Sequence, residues 1–204
     1  MREHKRVQIF ENPLLEKLTM VHPAGPFVFW FPVVCILMWY SLENMALTGG
    51  EYALVCGAGI LAWTFVEYAL HRWLFHFVSQ NESTARMIYV VHGNHHDDPY
   101  DKLRGVMPLA PAIIYAGLLY IAFTALLGFK YGNPFFAAFL AGYLAYDYIH
   151  YGTHHFKART PIGKYLRKFH LTHHVHDDAR FGVSSPLWDI LLGTYNIEKK
   201  RHDK

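Results

Sequence analysis

The chain has 204 residues, enough for one domain or at most two, and its 52% hydrophobic against 17% charged residues exclude the disordered and collagen-like classes. A net charge of +3, scattered along the chain, gives no basis for nucleic-acid binding; Cys35 and Cys56, both inside apolar runs, rule out a disulfide scaffold and a cysteine zinc site. The odd count is histidine, 15 residues against 16 Asp and Glu together.

Stretches 18–42, 52–66, 105–129 and 131–146 contain no Asp, Glu, Lys or Arg. Crossing ~30 Å of hydrocarbon at 1.5 Å per residue takes about 20 mostly apolar residues. The pattern predicts four spans in two hairpins, at about 27–47, 51–70, 108–127 and 133–151. The second and fourth reach full length only by including Glu67 and Asp147, whose carboxylates are costly in lipid and should face the protein interior or a watery surface. Trp30, Trp39 and Trp63 fall near span ends or faces, where indoles sit well at the membrane interface. A soluble bundle is the poorer reading, because four uncharged runs in so short a chain leave no polar face to cover them.

Lys and Arg set the orientation. Arg2, Lys5, Arg6 and Lys17 precede the first span, and the turn from Glu43 to Glu51 has none. Arg72, Arg86, Lys102 and Arg104 lie between spans two and three, Lys130 alone follows span three, and the remaining ten of 19 lie in the tail. Both termini, the loop 71–107 and the tail 152–204 are therefore expected in the cytoplasm. The first apolar run starts too late, and lacks the cleavage site, for a signal peptide. The expectation is a single all-α integral membrane domain over 1–204: four transmembrane helices and a cytoplasmic helical cap, in a bacterial inner membrane or the endoplasmic reticulum membrane.

Ten of the 15 histidines form four clusters on the cytoplasmic side. His71 and His76 close span two, His92, His95 and His96 lie in the middle loop, His150 and His154 close span four, and His170, His173 and His174 lie in the tail. Positions i, i+3 and i+4 share one helix face, so the two triplets each present three imidazoles together. His71 and His76, five apart, diverge by about 140° on a straight α-helix, so the helix is expected to end or bend between them. Neutral imidazole is a good ligand for iron, zinc, copper and nickel. Ten ligands exceed what one ion accepts, so the clusters imply two ions and a histidine-rich di-metal site. His4, His22 and His202 stand apart, His155 adjoins His154 on the wrong helix face, and His176 extends a cluster already complete. Glu67 precedes His71 by four residues and Asp147 precedes His150 by three, which lets each accept the free ring N–H of a ligand. Asp97, Asp98, Asp177 and Asp178 follow the triplets in the same way, and for any of these carboxylates helix-end solvation is an equal alternative. No Glu-x-x-His repeat is present, so the metals would be held by histidine alone.

These four boxes, between two pairs of spans, resemble the fatty acid hydroxylase/sterol desaturase superfamily of membrane di-metal oxygenases. The stretches WTFVEYALHRWLFH at 63–76 and FGVSSPLWDILLGT at 181–194 resemble its fatty acid 2-hydroxylase branch, which hydroxylates the acyl chain of sphingolipids. The resemblance implies one metal at His71, His76, His92, His96 and His173 and another at His95, His150, His154, His170 and His174. Many members of the branch carry a haem domain ahead of the first span. Only some 25 residues stand there in this chain. The expectation is a separate electron-transfer protein, a b-type cytochrome or a ferredoxin, as in a plant-like or bacterial member. Lys164, Arg167 and Lys168 are candidates for docking it, although a solvated or lipid-facing basic stretch explains them more simply.

Turning C–H into C–OH needs an oxidant that no side chain supplies, so a redox metal and O₂ are required. Zinc has no redox chemistry, and zinc found in purified protein would be a substitute for iron. The expected reaction inserts one oxygen atom at carbon 2 of a fatty acyl chain, consumes two electrons and two protons, and releases one water. The acyl chain would enter from the lipid, past aromatics such as Tyr68, Tyr146 and Phe169, for which core packing is at least as good a reading. The alternatives are a carotenoid or sterol hydroxylase or desaturase with the same boxes, and a membrane metal carrier or sensor without catalysis. Carriers place their ligands at mid-membrane, whereas these histidines lie at span ends.

Overall fold

Helix α1 (Pro13–Leu18) starts at Asn12, whose side chain accepts from the Leu14 and Leu15 N–H groups, and two long apolar helices follow: α2 (Ala24–Asn44) and α3 (Gly49–Ala69), 21 residues each. In this computed structural model residues 6–196 are described; Arg2, His4, Lys5, His202 and the basic stretch 199–204 lie outside the described residues. At 1.5 Å per residue, 21 residues give about 32 Å, the thickness of a bilayer core. A reciprocal cap fixes the start of α3: Thr48 Oγ1 accepts from the Glu51 N–H, and the Glu51 carboxylate accepts from the Thr48 N–H at 2.8 Å. At its far end α3 passes without a break into a π-helical segment, π1 (Leu70–Phe75).

The middle loop holds α4 (Glu82–Ile88), a second π segment π2 (Tyr89–Gly93) and α5 (Asn94–Asp97). Next comes α6 (Leu109–His155), 47 residues interrupted at Gly128, where φ is 71° and ψ 158°. That backbone region is essentially closed to residues with a Cβ. The chain folds back there: Tyr120 meets the Phe136 ring at 5.1 Å, Phe123 meets Phe135 at 4.9 Å, and the Tyr120 hydroxyl donates to Asn133 Oδ1 at 3.0 Å. The predicted spans 108–127 and 133–151 are thus the two limbs of one helical element with Gly128 at its corner. By length and apolar composition, three helices can cross a membrane: Ala24–Asn44, Gly49–Phe75 and Leu109–His155. Helix α7 (Pro161–His173), capped by Thr160, and α8 (Leu187–Leu191) complete the chain, and no strand occurs among the described residues.

The core lies between α2, α3 and α6 and contains Trp30, Val34, Trp63, Phe136, Phe139, Leu140 and Tyr143. Trp63 meets Phe139 and Tyr143 edge-on at 5.2 and 5.4 Å. The interfacial reading of the indoles fails for Trp30 and Trp63, only 5% and 8% exposed, and fits Trp39 at 63%. The cause is close helix approach. A Cβ on Gly142 would stand 2.8 Å from the Trp63 side chain, and one on Gly59 would stand 2.3 Å from the Phe135 carbonyl oxygen. Asn133 ties α6 to α2 across the core, donating to Ser41 Oγ at 2.7 Å and to the Leu37 carbonyl at 3.1 Å. Outside, Val28, Leu54, Ile121 and Leu126 are 65–79% exposed, as in a belt that meets lipid rather than water. The chain is a membrane protein.

The Gly59 contact sets a test. Gly59→Ala forces α3 and α6 apart and should cost about 1–3 kcal/mol by overpacking. Gly57→Ala meets nothing within 4 Å and should be harmless. Thermal melts in detergent should show a lowered midpoint for the first variant only.

Candidate metal centre

Helix geometry decides where the imidazoles point. Over π1 the backbone bonds run i to i+5, with the His76 N–H donating to the His71 carbonyl at 3.3 Å. The turn is thereby widened, and both rings fall on one face, where an α-helix would have separated them. The bend expected between His71 and His76 is this widened turn. In π2 the Asn94 side chain fills the wider turn, donating to the carbonyls of Tyr89 at 3.0 Å and Val90 at 2.7 Å. His95 and His96 follow at once in α5, His150 and His154 occupy the last turns of α6, and His170, His173 and His174 end α7.

All four clusters meet at one end of the bundle. His71, His76, His92, His96 and His173 form one group and His95, His150, His154, His170 and His174 another; within each, the nearest ring nitrogens all lie within 4.8 Å of one another. In both groups the converging atom is Nε2. The contacts are His71–His92 at 3.1 Å, His96–His92 at 3.0 Å and His173–His76 at 3.0 Å in the first group. The second has His150–His95 at 2.8 Å, His154–His170 at 2.8 Å and His174–His170 at 3.1 Å. The groups share a wall, since the His96 and His174 rings stack at 4.4 Å.

This donor set suits a divalent transition metal. With metal–nitrogen bonds of about 2.1 Å, neighbouring donors at right angles lie about 3.0 Å apart, the spacing these rings have. The donors are neutral. Burial, and after it the crowding of other rings, pushes His92, His95 and His170 well below the usual histidine range, His96 to about 4 and His174 to about 3. Burial does the same to His173. Both groups consist of histidine alone.

Glu67 and Asp147 do not meet the ring nitrogens their spacing suggested. His71 Nδ1 pairs with the Phe181 carbonyl at 2.5 Å, His173 Nδ1 with the Ala179 carbonyl at 2.8 Å, and His150 bonds the backbone at Gly105. Glu67 is buried but turned elsewhere, accepting from the N–H groups of Val183 at 2.6 Å and Ser184 at 2.8 Å. The i, i+4 argument assumed an unbroken α-helix, and π1 begins between Glu67 and His71. Asp147 accepts instead from the Tyr143 hydroxyl at 3.1 Å and the Met107 backbone. His155 belongs to neither group and packs against Tyr151, with ring centroids 4.2 Å apart and tilted by 36°; His22 accepts the Ala24 N–H at 3.2 Å. Tyr68 and Phe169 are packed in the interior, and the Tyr146 ring lies 5.8 Å from His150. Sequence reasoning missed Asp189, which is fully buried; the only signal for it was its place in the 181–194 stretch.

The sequence model of the fatty acid hydroxylase family matches residues 56–194. A dihydroceramide fatty acyl 2-hydroxylase of Arabidopsis thaliana is 36% identical over 92% of this chain and 79% of its own length. A ceramide very long chain fatty acid hydroxylase of Saccharomyces cerevisiae is 37% identical over 91% of this chain and 48% of its own length. The solved structure of full-length scs7p, with only the hydroxylase domain visible, superposes with a TM-score of 0.85 at 36% identity, covering 92% of this chain and 71% of that one. The chain belongs to the fatty acid hydroxylase family.

Proposed function

We propose that the two histidine groups each hold an iron ion and that the chain uses O₂ to hydroxylate carbon 2 of a fatty acyl chain, in a ceramide or related sphingolipid. The observation that carries the proposal is the convergence of ten neutral imidazoles through Nε2 into two adjoining groups of five. The dihydroceramide and ceramide hydroxylases among the relatives support the substrate class. Iron supplies the redox chemistry with O₂ that side chains lack; zinc can take its place in purified protein without supporting turnover.

The chain's own residues hold and orient. Nε2 of His71, His76, His92, His96 and His173 serves one ion, and Nε2 of His95, His150, His154, His170 and His174 serves the other. Tyr146 stacks on His150 at 5.8 Å and packs against Trp63 of the apolar core at 5.6 Å, so the second group abuts that core directly. The two limbs of α6 are read as the third and fourth spans, which makes 1–204 one four-span domain with a helical cap. The lysine and arginine distribution puts the histidine end and both termini on the cytoplasmic face. Electrons arrive there from a separate protein, a b-type cytochrome or a ferredoxin.

Mass spectrometry of amide-linked fatty acids, from cells with and without the chain, tests the reaction: 2-hydroxylated acyl chains should appear only with it. His95→Ala or His174→Ala should abolish the product at matched membrane expression, whereas His155→Ala should retain most of it.

Acid gives a separate test. Unfolded histidines titrate near 6.5, while His96 and His174 in the fold stay neutral down to about 4 and 3. Below pH 6.5 the unfolded chain therefore binds protons that the folded chain refuses, and stability falls with pH. The melting midpoint in detergent should be level above pH 7 and decline steadily toward pH 4. Bound metal should be lost over the same interval, because protons compete for Nε2.

A further inference from the structure

Four consecutive backbone N–H groups, from Phe181 to Ser184, all donate to two buried carboxylates. Asp189 accepts Phe181 N–H on Oδ1 and Gly182 N–H on Oδ2, both at 2.8 Å. Glu67 Oε1 accepts Val183 N–H at 2.6 Å and Ser184 N–H at 2.8 Å, and its Oε2 takes the Ser184 hydroxyl. A buried carboxylate is expensive unless its lone pairs are filled, and these two are filled almost wholly by this one loop. The loop is pulled so close that a Cβ on Gly182 would stand 2.1 Å from the Ser185 carbonyl oxygen and 2.8 Å from Asp189 Oδ2. Asp189 is anchored in turn by the Thr194 hydroxyl at 2.7 Å, and Thr194 by the Tyr68 hydroxyl at 3.0 Å.

The other side of the same loop faces the first histidine group. With its N–H groups gripped, the loop points the Phe181 carbonyl at His71 Nδ1 and the Ala179 carbonyl at His173 Nδ1. The second group receives nothing from this loop, and Nδ1 of His154, His170 and His174 is buried without a partner. We propose that Glu67 and Asp189 are positioning residues for the first histidine group alone: by clamping Phe181–Ser184 they set the two carbonyls that fix the tautomer and ring angle of His71 and His173, so that Nε2 faces the ion. This inference rests on the reading of the histidines as metal ligands. An amide cannot replace the Asp189 clamp, because its two oxygens each take a backbone N–H and an NH₂ would meet one of them with another donor; at Glu67 both backbone N–H groups share Oε1, so only removal of the carboxylate breaks that clamp.

The test uses the full chain in detergent, stripped of metal and titrated with cobalt(II) by visible absorption against a competing chelator. Wild type should take two ions. In Asp189→Asn and in Glu67→Leu one of the two should bind about 10–100-fold more weakly, the other as in wild type, with unchanged helical circular dichroism. If Asp189→Asn does not accumulate, Thr194→Val, which removes the anchor of Asp189, should weaken the same ion by a smaller factor. Two ions bound with wild-type affinity in the variants overturn the clamp. Equal weakening of both ions, or loss of helix alongside it, also overturns it, because the role would then be general packing. A wild-type chain that takes no cobalt overturns the metal reading itself and the clamp with it.

Discussion

Everything at the histidine-bearing end of this protein depends on holding ten uncharged imidazoles against one another. Five ring nitrogens packed within 4.8 Å of one another would repel as lone pairs, and would repel far more as imidazolium ions. Burial resolves the second problem by suppressing protonation, as the low values of His96 and His174 show. The first is relieved when a cation sits where the lone pairs meet. The site therefore has to be buried and rigid, and separate parts of the chain provide this, with main-chain carbonyls meeting the outer nitrogens of His71 and His173.

Rigidity comes from below. Trp63 sits between α3 and α6 because Gly142 leaves it room, and Asn133 binds α6 to α2 through Ser41 and Leu37. These contacts set the heights at which π1 and the end of α6 emerge. The two π segments then adjust phase rather than height. A widened turn costs helix regularity, and such turns in proteins cluster at functional sites because they re-aim side chains that an α-helix would disperse. Here they bring His76 back beneath His71 and let His92 and His96 share a point with it.

Much of this was legible before any coordinates. Absence of charge marked the apolar helices, and the i, i+3, i+4 spacing of His92/His95/His96 and His170/His173/His174 marked shared faces, since both signals follow directly from helix geometry. What could not be read followed from departures from that geometry or from atoms with no residue signature. At the α6 corner only the pivot residue escaped reading: Lys130 separates the two uncharged runs, but nothing in the charge pattern singles out Gly128. Glu67 stands at ligand-orienting spacing from His71 only if the helix stays α, and it does not. The true partners of His71 and His173 are main-chain carbonyls, which every residue possesses. Trp30 and Trp63 were misplaced because an indole suits a membrane interface and a helix crossing equally well.

The order in which the chain is made has a bearing on how the histidine centre can form. One group joins π1 and the middle loop to α7, the other joins the middle loop and the end of α6 to the same α7. His173 and His76, in contact, are 97 residues apart. The first group is complete only when residue 173, and the second only when residue 174, has left the ribosome, by which time every long apolar helix has already been synthesised. On the proposed reading of the histidines, metal capture would follow synthesis of all the long apolar helices, with α7 the last helix to bring in its ligands.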